Sequence, residues 1–326
     1  YGQKPEALDH NWLLVNVMGR DQLDAIWDRQ TLGGKHPGPV DISPSGDLYL
    51  ATFDREISMG QDTATNSSIL WTSSRPGRIL AARFHHRADG RMVALVIDQT
   101  GSGSMLDIDT GTQLSSLETG CGPLKDCHIA DKQLFFLTEQ GQVGSYDLFL
   151  NKLTSRSSPL GEGLQRVYPW IGEQVIVVGD SGFGTVPLGK RPGQALEGFS
   201  PKAYQPTAKV THAKLDSEHR ILILGLEDGT LAMTDVSNGK LVYAISKVSG
   251  AVTGFSLLTD LNVGVVSTDR GQLYFWDLIA DKVLEGILAH RGGILDLRSD
   301  RAGRFMLTSG RDGQVRFWET SWTVSL

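Results

Sequence analysis

The chain has few cysteines, and their spacing limits what they can do. Only two occur in 326 residues, Cys121 and Cys127, so a framework of several disulfides is excluded. Three interpretations stay open for the pair: reduced thiols, a local disulfide in an oxidising compartment, or a metal or haem site. Covalent haem attachment needs two intervening residues and a following histidine, whereas five residues intervene here. We therefore expect no cofactor and no metal.

Long apolar runs and strong positive charge are also missing. The run Ile221–Leu226 is among the longest, far short of the roughly 18 residues that a transmembrane helix requires. The formal net charge is −6, whereas general nucleic-acid binding depends on a basic surface that displaces phosphate counterions. We therefore expect a soluble globular protein with no transmembrane segment and no general nucleic-acid binding.

The beginning of the chain leaves the compartment open. The first residue is Tyr1 rather than methionine, which indicates a processed mature protein or a trimmed one. A cytoplasmic protein fits this start, and so does a periplasmic or secreted protein that has lost a signal peptide.

The clearest pattern in the chain is a unit near its end. Residues 294–297, 304–309 and 314–318 alternate or cluster as three short strands. The segments between them, 300–303 and 311–313, contain the aspartate and glycine typical of tight turns. Three strands joined in this way predict an antiparallel sheet.

This unit resembles a WD repeat, the building block of a family of β-propellers. Ala289-His290 stands where the family has Gly-His, and Trp318-Glu319 stands where it has Trp-Asp. The closing tryptophan recurs at Trp276, 42 residues before Trp318, which is a period typical of the family. The resemblance implies an all-β fold of four-stranded antiparallel blades around a central channel.

The resemblance also implies a buried polar network in the last blade. His290 would donate to Ser309, and Asp312 would orient the imidazole. Trp318 would give its indole N–H to the serine hydroxyl, since each group would cost about 1–3 kcal/mol if buried unpaired. A Ser/His/Asp hydrolase is the alternative, but a serine in a central strand is not an exposed nucleophile. In the preceding unit Asp269 stands one position early in its turn, which argues against a complete network there.

The number of blades depends on the N-terminus. Residues 1–326 are predicted to form a single propeller domain, in which residues 1–36 close the ring. Segments 12–17 and 22–28 look like two further strands: segment 22–28 either supplies the outer strand of the last blade or belongs with segment 12–17 to an eighth blade. Seven blades are favoured, with inner-strand positions at Val40, Ile79, Leu124, Val167, Val210, Val252 and Ile294.

The fold leaves two classes of function open. The first is a non-catalytic scaffold for protein-protein interaction, or an accessory subunit of a larger complex, because a rigid ring binds without a large ordering cost. The alternative is a subunit of a redox or hydrolytic enzyme, with a cofactor or substrate in the central channel.

The resemblance also places a binding surface. In the family, the loops between blades and the turns from second to third strand share one end of the ring, the top rim. Arginines at these turns are either simply solvated or form a patch that pairs bidentately with carboxylates of a protein partner. The rim positions of this chain are Arg20, Glu227, Arg270, Arg291 and Arg311.

Overall fold

The computed structural model of the protein describes residues 23–33, 36–62, 67–87, 89–120, 122–130, 132–171, 173–188, 200–217, 219–246, 248–258, 263–278, 282–300 and 303–322. The regular structure of this part of the chain consists of β-strands, and it contains no helix long and apolar enough to cross a membrane. The strands form seven four-stranded antiparallel sheets, as the sequence predicted. Each sheet is one blade of a propeller.

The first described strand, β1 (Leu23–Gly33), belongs to the last blade, and the other blades follow in chain order from their inner to their outer strand. The first three consist of β2 (Pro37–Ile42), β3 (Leu48–Phe53), β4 (Glu56–Asp62) and β5 (Ser67–Ser74); β6 (Ile79–His86), β7 (Met92–Asp98), β8 (Ser102–Asp107) and β9 (Gln113–Glu118); and β10 (Leu124–Ala130), β11 (Gln133–Thr138), β12 (Val143–Asp147) and β13 (Lys152–Arg156).

The remaining blades keep the same order, and the last one takes β1 as its fourth strand. They consist of β14 (Leu164–Trp170), β15 (Gln174–Gly179), β16 (Gly182–Pro187) and β17 (Ser200–Pro201); β18 (Val210–Asp216), β19 (Ile221–Leu226), β20 (Thr230–Asp235) and β21 (Leu241–Ser246); β22 (Val252–Leu258), β23 (Val263–Thr268), β24 (Gln272–Asp277) and β25 (Lys282–Leu288); and β26 (Ile294–Ser299), β27 (Phe305–Gly310), β28 (Gln314–Trp322) and β1.

The ring closes by pairing the two ends of the chain. β1 runs antiparallel to β28, with Ile26 opposite Thr320 and Asp28 opposite Trp318. The structure therefore has the segment after residue 22 as the outer strand of the last blade, and the eight-blade alternative is wrong. Segment 12–17 lies outside the described residues.

Hydrophobic side chains fill the interfaces between blades. Seven hydrophobic clusters occur among the described residues, and each joins two neighbouring blades. Met306 and Trp318 face the sixth blade, whereas Leu307 and Phe317 face the first. Because successive residues of a strand point to opposite faces, the middle strands are covered on both sides, which explains fully buried runs such as Ile221–Leu226.

The first strand of each blade lies nearest the axis of the ring. First strands of neighbouring blades contact each other: β2 contacts β6 and β26, and β22 contacts β18 and β26. All seven show a register shift near their start, as between Leu124 and Asp126 or between Ile294 and Asp296. Such bulges increase the twist of a strand and re-aim its side chains, here at the wall of the central channel.

Candidate functional site

The last blade contains a continuous chain of side-chain hydrogen bonds. The indole N–H of Trp318 donates to Thr308 Oγ1 over 2.8 Å, and this oxygen lies 2.7 Å from His290 Nε2. The other ring nitrogen, His290 Nδ1, lies 2.9 Å from Asp312 Oδ1. His290, Thr308 and Trp318 are all buried, so this hydrogen-bond network satisfies polar groups that water does not reach.

The Asp312 carboxylate sets the direction of these hydrogen bonds. Burial raises its pKa, but the hydrogen bonds from His290 and from the Arg291 N–H outweigh burial, and the pKa lies below its ordinary value. The ionised carboxylate accepts from the Nδ1–H of His290, and a neutral ring in this tautomer accepts the Thr308 hydroxyl at Nε2.

Ser309 is not part of this network. The prediction that Ser309 supplies the hydroxyl was wrong by one residue, because Thr308 supplies it. The Ser309 hydroxyl is buried and has no hydrogen-bond partner among the described residues. Trp318 lies opposite Met306, so Thr308 and Trp318 share the face toward the sixth blade. Ser309 points with Leu307 toward the first blade, because a displacement of one residue along a strand changes the face.

The sixth blade lacks the network, as the displaced aspartate of its turn indicated. Trp276 Nε1 is buried without a partner in the described part of the chain. Val248 and Val266 pack in the same hydrophobic cluster, at the positions 42 residues before His290 and Thr308. The sixth blade thus fills with apolar contacts the space that the last blade fills with hydrogen bonds.

Three of the predicted rim residues lie on loops that touch one another. Arg270 lies in the turn after β23, Arg291 in the connection before β26 and Arg311 in the turn after β27, and all three are exposed. Backbone hydrogen bonds of 2.9–3.1 Å join this connection to the carbonyl of Gly271, and Arg311 donates to the Gly293 carbonyl over 2.8 Å. The structure therefore carries the three arginines on one continuous stretch of the rim.

The guanidinium groups of these arginines form no ion pair within the described part of the chain, although Asp269 and Asp312 lie in the same loops. Arg270 Nη1 donates to Ser249 Oγ over 2.7 Å, a neutral partner. No carboxylate among the described residues lies within 4.0 Å of the three guanidinium groups. Glu227 is exposed in the corresponding turn of the fifth blade, and Arg20 lies outside the described residues. We call Arg270, Arg291 and Arg311 the arginine rim.

The sequence reasoning missed a set of polar residues in the channel wall. The fifth residue of every inner strand is polar, and this repetition is the signal that could have revealed the set. In four of the inner strands the third residue is also polar or charged: Asp126, Arg166, His212 and Asp296. We call the seven fifth residues the channel ring: Asp41, Arg83, His128, Tyr168, Lys214, Ser256 and Arg298.

Carboxylates of the channel wall connect neighbouring inner strands. Asp41 accepts the N–H of Phe84 over 2.9 Å, and Asp296 accepts that of Val40 over 3.1 Å. Asp126 accepts the backbone N–H of Val167, in the fourth blade, over 2.9 Å. Each carboxylate thus satisfies a backbone donor that the blade's own ladder leaves unpaired.

Cys127 lies on inner strand β10 and is a free thiol. Burial, followed by the nearby charge of Asp126, raises the pKa of this thiol, so it stays protonated and unreactive at neutral pH. The reduced interpretation therefore applies to Cys127, whereas Cys121 lies outside the described residues. In the described part, no three His, Cys, Asp or Glu side chains gather as a metal site would require.

Comparison with known proteins gives partial matches. No family model matches the chain. WD repeat-containing protein 46 of Homo sapiens is 31% identical over 111 residues, which is 34% of this chain and 18% of that protein. U3 small nucleolar RNA-associated protein 7 of Saccharomyces cerevisiae is 27% identical over 101 residues, 31% of this chain and 18% of that protein.

A shorter match covers 55 residues at 36% identity with the pre-rRNA-processing protein IPI3 of Kluyveromyces lactis, 17% of this chain and 11% of that protein. The chain thus matches about a fifth or less of the length of these relatives. Their names describe a repeat protein, a pre-rRNA-processing protein and a protein associated with a small nucleolar RNA, so an enzyme with a cofactor or substrate in the channel gains no support. The seven four-stranded blades form a seven-bladed β-propeller, and the similarity to repeat-containing relatives is consistent with a WD-repeat family.

Proposed function

We propose that the chain is the non-catalytic propeller of a subunit in a pre-rRNA-processing complex, and that it binds an acidic protein partner through the arginine rim. Two of its relatives carry names that refer to pre-rRNA processing or to a small nucleolar RNA. Their similarity to this chain covers propeller repeats, so the shared part serves as a scaffold in this proposal.

The partner at the rim is a protein rather than RNA. The chain carries a net charge of −6, which opposes the broad basic field that RNA binding requires. Three arginines on adjoining loops suit a more local target, since a guanidinium pairs bidentately with a carboxylate. The rim loops are tied by backbone hydrogen bonds, so little ordering opposes binding. The observation that carries this proposal is that the exposed guanidinium groups of Arg270, Arg291 and Arg311 form no ion pair among the described residues and lie on adjoining loops.

The first experiment identifies the partner. The tagged full chain is purified from its native source at low salt, and the bound proteins are identified by mass spectrometry. Recovery of pre-rRNA-processing factors with acidic surface segments is the expected result. A set of bound proteins without any such factor would contradict the assignment to this class of complex.

The second experiment tests the surface. The double variant Arg270→Glu and Arg311→Glu should weaken binding of the identified partner at least tenfold and remove most of its salt dependence, with little change in Tm. The matched control reverses Arg87 and Arg304, which are exposed at the opposite end of the ring, in turns between first and second strands. Equal affinity in the rim variant and the control would move the interface away from the arginine rim.

A further inference from the structure

Charged side chains of both signs line the central channel, and Asp216 lies on the same strand face as Lys214. Four cationic side chains from four different blades line its wall, against the three carboxylates that accept backbone N–H groups there. The wall is open to solvent, because the side chains of Arg166 and Arg298 are 44% and 31% exposed although they lie on inner strands. The four cations are Arg83, Arg166, Lys214 and Arg298.

In the described part of the chain, two of these cations lie within 4.0 Å of a carboxylate. Arg166 Nη1 lies 3.0 Å from Asp126 Oδ1. Arg298 Nε lies 3.6 Å from Asp296 Oδ2, too far for a hydrogen bond, and it is buried without another partner among the described residues. Arg298 therefore retains donors that are free to bind an anion.

The other two cations interact with neutral backbone carbonyls. Arg83 Nη1 donates to the carbonyls of Ala82 at 2.7 Å and Val40 at 3.2 Å, and Lys214 Nζ donates to that of Phe255 at 3.2 Å. Neither has a carboxylate within 4.0 Å in the described part of the chain. Arg83 and Lys214 thus make their direct contacts with backbone carbonyls, and the carboxylates that act on them lie farther away.

These cations are close enough to repel one another. The backbone carbonyl of Val40 accepts a hydrogen bond from Arg83, and the backbone N–H of Val40 donates to Asp296. Asp296 in turn lies beside Arg298. The two arginines therefore approach the first blade from opposite sides. Burial, followed by the charge of Arg298, lowers the pKa of Arg83, and Asp41 and Asp296 oppose this shift. The same two causes lower the pKa of Lys214 to about 8, and Arg83 adds to them, whereas Asp296 and Asp216 oppose them. Like charges facing one channel indicate a site for a counterion of opposite sign.

His212 supplies a further unpaired polar group in the same wall. Both of its ring nitrogens are buried without a hydrogen-bond partner among the described residues. Burial lowers its pKa to about 3, so the ring is neutral at physiological pH and has one N–H to donate.

The geometry points to a phosphate-binding site in the central channel, formed by Arg83, Lys214 and Arg298. A phosphate group carries close to two negative charges at neutral pH and matches Arg83 and Lys214, which have no carboxylate within 4.0 Å among the described residues. A single carboxylate would neutralise only one of them. Cations that approach from the second, fifth and seventh blades also surround a tetrahedral anion better than a planar one. Because the closed ring holds the inner strands in place, the site is preformed.

Calorimetric titration of the full chain with inorganic phosphate, at pH 7 and constant ionic strength, tests this inference. We expect one saturable site per chain and a rise in Tm on binding. Lys214→Met and Arg298→Gln should each weaken binding at least tenfold. The matched control, Lys240→Gln, removes an exposed lysine of the same blade as Lys214 and should leave the affinity unchanged.

Two further measurements separate a binding role from a structural one. Burial and like charges already disfavour the ammonium of Lys214, so Lys214→Met should not lower the Tm of the phosphate-free protein. The same substitution should abolish the increase in Tm that phosphate causes in the unmodified protein. In the unmodified protein the affinity should fall as the pH rises above about 8, where Lys214 loses its proton, and this decrease should be absent in Lys214→Met.

A phosphoserine peptide distinguishes the sources of the phosphate group. Binding of the peptide at least tenfold tighter than inorganic phosphate would assign the site to a phosphorylated protein, and tighter binding of inorganic phosphate would assign it to a free anion. The inference is overturned if phosphate shows no saturable binding, or if its affinity is the same in Lys214→Met, Arg298→Gln and the control.

Discussion

Replacing Thr308 by valine tests the hydrogen-bond chain of the last blade. Valine keeps the shape of the side chain but removes the hydroxyl that accepts the indole N–H of Trp318 and donates to His290 Nε2. Both partners are buried, and a buried polar group left without a partner costs about 1–3 kcal/mol. We therefore expect Thr308→Val to lower the free energy of unfolding by about 2–4 kcal/mol, less than the full sum because the added methyl is itself buried favourably.

Ser309→Ala is the matched control on the neighbouring residue. Its hydroxyl is buried but has no partner among the described residues, so its removal should change the free energy of unfolding by less than about 0.5 kcal/mol. Urea denaturation followed by tryptophan fluorescence measures both variants, with midpoints compared at a common slope. A loss in Ser309→Ala equal to that in Thr308→Val would refute the assignment of the network to Thr308.

Three further predictions follow from the described contacts. Trp276→Phe should be less destabilising than Trp318→Phe by about 1 kcal/mol, because the N–H of Trp276 has no partner to lose; equal denaturation midpoints would contradict this. Deleting residues up to the end of β1 should expose the edge of β28 and cause aggregation in size-exclusion chromatography, whereas a monodisperse truncation would show that β1 is dispensable. Stability should decrease as the pH falls below about 6.5, since the unfolded chain protonates His212 while the folded pKa is about 3; His212→Gln should flatten this acid limb of the pH profile, and an unchanged slope would exclude His212 as its source.

The strands and turns of the blades could be predicted because their signals are local. Alternating apolar residues and Asp-Gly turns placed the inner strands at Val40, Ile79 and five further positions, all of which lie within observed first strands. The place of the N-terminal strand could not be decided in this way. β1 pairs with residues at the other end of the chain, and a strand signal does not reveal its partner.

The candidate sites divide along the same line. The family resemblance implied one rim for Arg270, Arg291 and Arg311, and backbone hydrogen bonds join the loops that carry them. The channel cations were missed, since each is a single charged residue in its own strand. Only the comparison of the fifth residue across all seven inner strands reveals that they form one set.

The amino-acid sequence by itself determined the four-stranded repeat, the positions of its turns and the apolar faces that the blades bury against one another. Tertiary structure decided that Thr308 rather than Ser309 meets Trp318, because the face of a side chain depends on its register with the neighbouring strand. It also decided that charges far apart in the chain converge on one channel, because closure of the ring brings the inner strands of all seven blades around a common axis.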